Sequence, residues 1–260
     1  MAGSGLNLAL LLFLLTLYAV NSWLNIRRYK ALAQVADIDR LAFYRSGLAK
    51  SLLLFLGGAM ISLIVLHRLD GLAAVPEEFE SETVRSVFLR VPAVWIHGIA
   101  SVWIAVICLA SWLGGAQMKR LIERSEILPK TALASLLPRT GGERVWAVLI
   151  ALNAGLSEEL FFRLALPLLL AAVTGQAALA FWLAVIIFGL GHAYQGLFGV
   201  VVTTVIGALL GLIYLYSGNL WLVVAIHAGI DLWSLVVMPL LIGWPPKMLG
   251  RSIRPNSNSD

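Results

Sequence analysis

Long unbroken apolar runs alternate along this chain with short polar, charged stretches. Seven runs stand out, at about 5–24, 47–66, 91–114, 145–172, 177–197, 198–216 and 219–242. Each is close to the ~20 residues a helix needs to cross a ~30 Å hydrocarbon core. Their continuous apolar character lacks the alternation of a membrane barrel. The pattern predicts an all-α, polytopic integral membrane bundle with seven transmembrane helices. It divides into three N-terminal spans (1–114), a linker (115–144), a second membrane unit (145–242) and a polar tail (243–260). The fourth run is long for one crossing and contains Pro167. It reads either as a tilted or kinked helix, or as a span followed by a short re-entrant piece that would make eight elements.

Composition agrees with that class. Of 260 residues, 60% are hydrophobic and 13% charged, about half the charged fraction of a soluble domain, and the mean hydropathy is +0.89. The net charge of +5 does not point to nucleic acid, because the basic residues lie in loops between spans. Residues 25–50 carry six Lys/Arg (Arg27, Arg28, Lys30, Arg40, Arg45, Lys50) against two acids, and residues 67–90 carry three against five. Residues 115–144 again carry six, and the tail carries three. This alternation predicts cytoplasmic first and third loops, a cytoplasmic C-terminus and an outside N-terminus. A prokaryotic plasma (inner) membrane is the expected location. The first run lacks a basic n-region and a small-residue cleavage site, so it reads as a retained span. Residues 116–137 mix apolar and basic positions at helical spacing, as in a helix lying on the cytoplasmic surface. A solvated linker helix fits them as well.

Cys108 is the single cysteine and falls inside an apolar run, which leaves no disulfide and no thiolate metal cluster. "GALLG" at 207–211 is a small-residue face suited to close helix packing.

The distribution of charge within the second membrane unit carries the functional signal. From Val145 to Ile242 only four side chains are formally charged, namely Glu158, Glu159, Arg163 and Asp231, joined by His192 and His227. A charge at mid-bilayer costs at least ~2.5–3.5 kcal/mol, so these groups are expected to face one another. Glu159 and Arg163 are four apart with the acid first, the better order for an ion pair. Glu158 is turned by about 100° around the helix. His227 and Asp231 are also four apart, and His192 follows Gly189 and Gly191, which allow another backbone or a substrate to come close. Two carboxylates and two imidazoles, braced by a separate Glu–Arg pair, have the parts for hydrolysis. Glu158 could take a proton from water while imidazoles orient it, or the histidines and a carboxylate could hold Zn²⁺ with an open position. No HExxH occurs, so the helix-borne zinc protease motif is absent.

At these residues the chain resembles the CAAX protease and bacteriocin-processing family of intramembrane endopeptidases, which includes the type II CAAX prenyl endopeptidases. The family's EExxxR, FxxxH and HxxxN motifs read here "EELFFR" (158–163), "FGLGH" (188–192) and "HAGID" (227–231). The resemblance implies a membrane-embedded peptidase acting on a membrane-associated protein or peptide, with Glu158 activating water and His192 positioning it. It further implies that His227 and the fifth residue of its motif stabilise the oxyanion, and that Glu159 and Arg163 form a structural pair. The family is described both as metalloproteases, which would place a metal among Glu158, His192, His227 and Asp231, and as metal-free glutamate enzymes. Asp231 departs from the prenyl-protease pattern, where Asn is usual. An ionised carboxylate has no hydrogen to donate, so Asp231 must be protonated, orient His227 or ligate a metal.

His67 and His97 read as interfacial or packing residues. Asn153, Tyr194 and Gln195 are polar groups suited to hydrogen bonds around the cluster. Two rival classes stand beside proteolysis. One is a transporter using the Glu/His/Asp groups as a proton or ion relay. The other is a catalytically silent scaffold for partner membrane proteins.

Overall fold

A computed structural model of the chain describes residues 2–34, 39–80 and 137–244, with isolated helical positions between 98 and 120. Every regular element among the described residues is helical. Helix α1 spans Ala2–Gln34. Helix α2 (Arg40–Ser51) runs through a π turn (Leu52–Gly57) into α3 (Gly58–Val65), and a short α4 covers Glu77–Glu80. After the linker, α5 (Gly141–Glu159) continues through a π turn (Leu160–Ala165) into α6 (Leu166–Thr174). Helix α7 (Ala177–Leu190), a 3-10 turn (Ala193–Gln195), α8 (Gly196–Ser217) and α9 (Leu220–Leu232) follow. A third π turn (Trp233–Val237) leads into α10 (Met238–Leu241).

Among the described residues, four helical stretches are long and apolar enough to cross a membrane: Ser4–Tyr29, Arg40–Val65, Ala193–Ser217 and Leu220–Leu241. They correspond to the first, second, sixth and seventh apolar runs, and the chain is an integral membrane helical protein. The fifth run forms the shorter apolar helix Ala177–Leu190, since the chain leaves regular helix at Gly191. The fourth run is one continuous helical rod over 141–174, with no re-entrant break. The third run, the surface helix expected at 116–137 and His97 lie largely or wholly outside the described residues, so a count of seven or eight crossings goes beyond them.

The rod over 141–174 is the centre of the bundle, with residues 159–171 buried without interruption. A helix that is apolar all round belongs in such a place. Its start is fixed by two sets of capping hydrogen bonds. Thr140 Oγ1 accepts from the Glu143 backbone N–H at 3.2 Å. The Glu143 carboxylate in turn accepts from the Arg139 backbone and from Arg40 Nε, each at 2.9 Å, which ties the first turn of α5 to that of α2. Lower down, Ser51 Oγ accepts from Asn153 Nδ2 at 2.9 Å and meets Ser157 Oγ at 3.2 Å, so Asn153 serves helix packing.

Two of the π turns end one residue short of a proline. Pro167 has no N–H to give, and in a regular helix its ring would meet the carbonyl of Arg163. The chain widens instead, and the Leu166 N–H bonds to the Phe161 carbonyl, five residues back. Pro239 stands in the same relation to Trp233–Val237, where Met238 N–H bonds to Trp233. The kink expected at Pro167 is thus absorbed as a wide turn.

Helices α5 and α9 form the most extensive helix–helix contact in the bundle. Gly155 permits it. A β-carbon at 155 would stand 2.7 Å from the backbone nitrogen and β-carbon of Ala228, and 2.8 Å from the Val224 carbonyl. The small-residue face at 207–211 works in the same manner, Gly207 taking the Phe188 ring and Gly211 the Phe181 ring. Gly155→Ala is therefore expected to destabilise the protein by about 1–3 kcal/mol through overpacking. Gly47→Ala, at a position with nothing within 4 Å, should leave stability unchanged or slightly raised; thermal unfolding in detergent compares the two.

Candidate active site

The three polar motifs lie on three elements: the α5–π turn junction, the end of α7, and α9. The rod presents Glu159 and Arg163, both with no exposed side-chain surface, and their Oε2–Nε distance is 3.1 Å. The i, i+4 spacing is kept although the π turn begins at Leu160. Glu159 does not stop at that pair. Its other oxygen, Oε1, accepts from His227 Nδ1 at 2.6 Å, with His227 only 6% exposed. The separate Glu–Arg brace expected from the sequence is in fact joined to the histidine of α9. One carboxylate holds a cation of its own helix and an imidazole of another.

Phe188, the first residue of the "FGLGH" motif, explains why that motif begins with an aromatic. The Arg163 guanidinium carbon lies 4.8 Å from its ring centroid, a cation–π contact for a cation removed from water. The His227 ring meets it edge-on at 6.0 Å and the His192 ring at 5.1 Å. The Phe188 backbone carbonyl also accepts from His192 Nδ1 at 3.1 Å. A carbonyl only accepts, so the hydrogen is on Nδ1 and the Nε2 lone pair of a neutral ring is free.

Glu158 follows a different course from its neighbour. It is half-buried and makes no hydrogen bond among the described residues. Its carboxyl lies within electrostatic reach of His227, Asp231, Glu159 and Arg163, and of Tyr18, Tyr29 and Tyr194. Asp231 Oδ2 is 3.8 Å from His227 Nε2, beyond hydrogen-bond length, with 31% of its side chain exposed. All six intramembrane ionisable groups of the second unit therefore gather in one region.

Zinc calls for three protein ligands around an open position. Among the described residues no group of three His, Cys, Asp or Glu side chains is arranged to hold a metal ion. His227 Nδ1 is engaged by Glu159 and His192 Nδ1 by the Phe188 carbonyl, which leaves Nε2 of each ring as the nitrogen open to a further partner.

Sequence reasoning missed the contribution of the N-terminal helix. Tyr29 stacks on Tyr194 at 4.2 Å, 19° between planes, and meets Phe43 at 5.4 Å. Tyr194 lies 5.9 Å from His192, so an aromatic row leads from α1 and α2 to the cluster. The glycines ahead of His192 do let other helices come close: Thr204 and the Val200 backbone carbonyl stand against Gly189, and the Tyr18 hydroxyl against Gly191. A tyrosine within an apolar run was the one available signal, since a buried phenol needs a partner. His67 is exposed at the end of α3, in the left-handed region at φ 55°, away from the cluster.

Fold and site together define an integral membrane helical protein with a buried acid–base cluster. Residues 140–233 match the family described as type II CAAX prenyl endopeptidase Rce1-like. This segment contains all three motifs, and over it the chain is similar to that family of proteases. No curated protein and no solved structure matches the chain.

Because Glu159 is buried beside Arg163, removing the cation leaves an uncompensated charge. Arg163→Met is expected to cost about 3–5 kcal/mol, whereas the double replacement Arg163→Met with Glu159→Leu should recover part of that loss. Unfolding of both variants in detergent checks it.

Proposed function

We propose that the chain is an intramembrane endopeptidase that hydrolyses a peptide bond of a membrane-associated protein or peptide, with water activated by Glu158. The observation that carries this reading is the division between the adjacent glutamates. Glu159 is fully buried and engaged by Arg163 and His227. Glu158 is half-buried, without a hydrogen bond among the described residues, and within electrostatic reach of His227, Asp231 and Tyr194. One carboxylate holds the fold together, and the other is available to water.

In this mechanism Glu158 takes a proton from water as the water oxygen attacks the peptide carbonyl. The free Nε2 of His192 accepts the second hydrogen of that water and orients it. His227, as an imidazolium facing Glu158, Glu159 and Asp231, gives Nδ1–H to Glu159 and Nε2–H to the developing oxyanion. The C–N bond then breaks, and the proton held by Glu158 passes to the leaving amine. Asp231, lacking a hydrogen to donate, acts on His227 and not on the oxyanion. Glu159 and Arg163 remain structural.

The proposal includes seven or eight crossings in a prokaryotic plasma membrane, with the C-terminus cytoplasmic. Tyr29, in the basic first loop expected on the cytoplasmic side, stacks on Tyr194 beside His192, which supports substrate entry from that face. In a Cys108→Ser background, Ser257→Cys should react with an impermeant maleimide only after the cytoplasmic face is opened. Labelling of intact cells would reverse the orientation.

The decisive experiment compares peptide termini in membranes and medium of cells making wild type, Glu158→Gln or Glu159→Gln. New termini are expected with wild type and should fall by about 10²–10⁴-fold in Glu158→Gln, with its unfolding temperature unchanged. Glu159→Gln should instead lower the amount of folded protein. Cleavage should survive dialysis against a metal chelator. Equal cleavage by wild type and Glu158→Gln would overturn the reading. So would proton uptake into proteoliposomes that depends on Glu158 without any cleavage.

A further inference from the structure

We propose that helix α1, which lies outside the family-matched segment, completes the active site, and that Tyr18 is a positioning residue for His192. The inference deepens the peptidase reading and rests on it for the role of His192.

Tyr18 is 7% exposed, its ring edge-on to Phe162 at 5.8 Å and tilted against Phe55 at 6.2 Å. This packing leaves the hydroxyl one direction in which to point. It donates to the backbone carbonyl of Ile187, and the Gly191 backbone and the Ser22 hydroxyl are also within its reach. Ile187 lies in the last turn of α7, where carbonyls run out of partners within the helix. In hydrocarbon such a group is costly. The Ile187 carbonyl is otherwise held by Gly191 N–H at 3.2 Å, so the tyrosine fastens the segment from Ile187 to Gly191 at both ends. His192 comes next, its N–H on the Gly189 carbonyl at 3.0 Å and its Nδ1 on the Phe188 carbonyl at 3.1 Å. The imidazole therefore takes its position from a turn that a separate helix clamps.

Gly191 is the complementary half of the device. A β-carbon there would collide with the Tyr18 hydroxyl. The "GH" of "FGLGH" thus makes room for a contact from α1, and the Glu158 charge acts on the same hydroxyl. Tyr18 lies between the water-activating carboxylate and the turn that holds the water-orienting histidine.

Tyr18→Phe retains the ring packing and removes only the oxygen. In cleavage assays in proteoliposomes, kcat is expected to fall about tenfold with KM within about twofold, because the histidine is misplaced and substrate contacts are not. In a His192→Ala background the same change should have no further effect. A purely structural role would instead give additive losses and overturn the proposal. A second readout needs no proteolysis. Carbethoxylation of His192, followed by peptide mass spectrometry on folded protein in detergent, should quicken several-fold in Tyr18→Phe. An unchanged rate overturns the inference whatever the kinetics show. Equal cleavage by wild type and Glu158→Gln would defeat the peptidase reading alone, and the modification rate would then decide the contact by itself.

Discussion

The arrangement depends on one buried carboxylate with two cationic or hydrogen-donating partners. Glu159 sits on the central rod with Arg163 a turn below it and His227 on α9 at 2.6 Å. Neither acid nor guanidinium touches solvent, so each is tolerable only because the other is present. The histidine bond adds a demand that the intrahelical pair does not make: α9 must approach to within the reach of a short hydrogen bond. Gly155, one turn before Glu159, and Ala228, next to His227, let the two backbones come that close. Electrostatics sets the requirement here, and the missing side chain meets it.

The same constraint separates the adjacent glutamates. A rotation of about 100° between neighbours on a helix sends Glu159 into the packed interface and Glu158 towards the space among α1, α7 and α9. Their chemistry differs because their surroundings do. Phe188 takes part on both sides, its ring under the Arg163 guanidinium and its carbonyl on His192. Structural and reactive groups therefore share a scaffold, and a change at one reaches the other within a few contacts.

The N-terminal helices have no motif of their own, yet they border the site. Tyr18 and Tyr29 come from α1, Ser51 from the end of α2, and Phe55 from the π turn that follows. Each closes a side of the rod that the matched segment leaves open. The family match from 140 to 233 thus covers the three polar motifs but not all that holds them.

The membrane class, the helical runs and the six ionisable groups at 158, 159, 163, 192, 227 and 231 were legible in the sequence. Their cost in hydrocarbon makes them conspicuous, and helix periodicity places i, i+4 partners without further information. The Glu159–Arg163 pair is of that kind. The partner of His227 is not. Sequence spacing suggested Asp231, four residues on, but the short bond goes to Glu159, 68 residues away, because the approach at Gly155 and Ala228 brings that oxygen closer. Pro167 hinted at a break, and the chain answered with a π turn. The partner of Tyr18 was invisible for the same reason as the Glu159–His227 bond. Local pattern records which groups cannot stand alone, whereas packing between helices distant in sequence decides which of them meet.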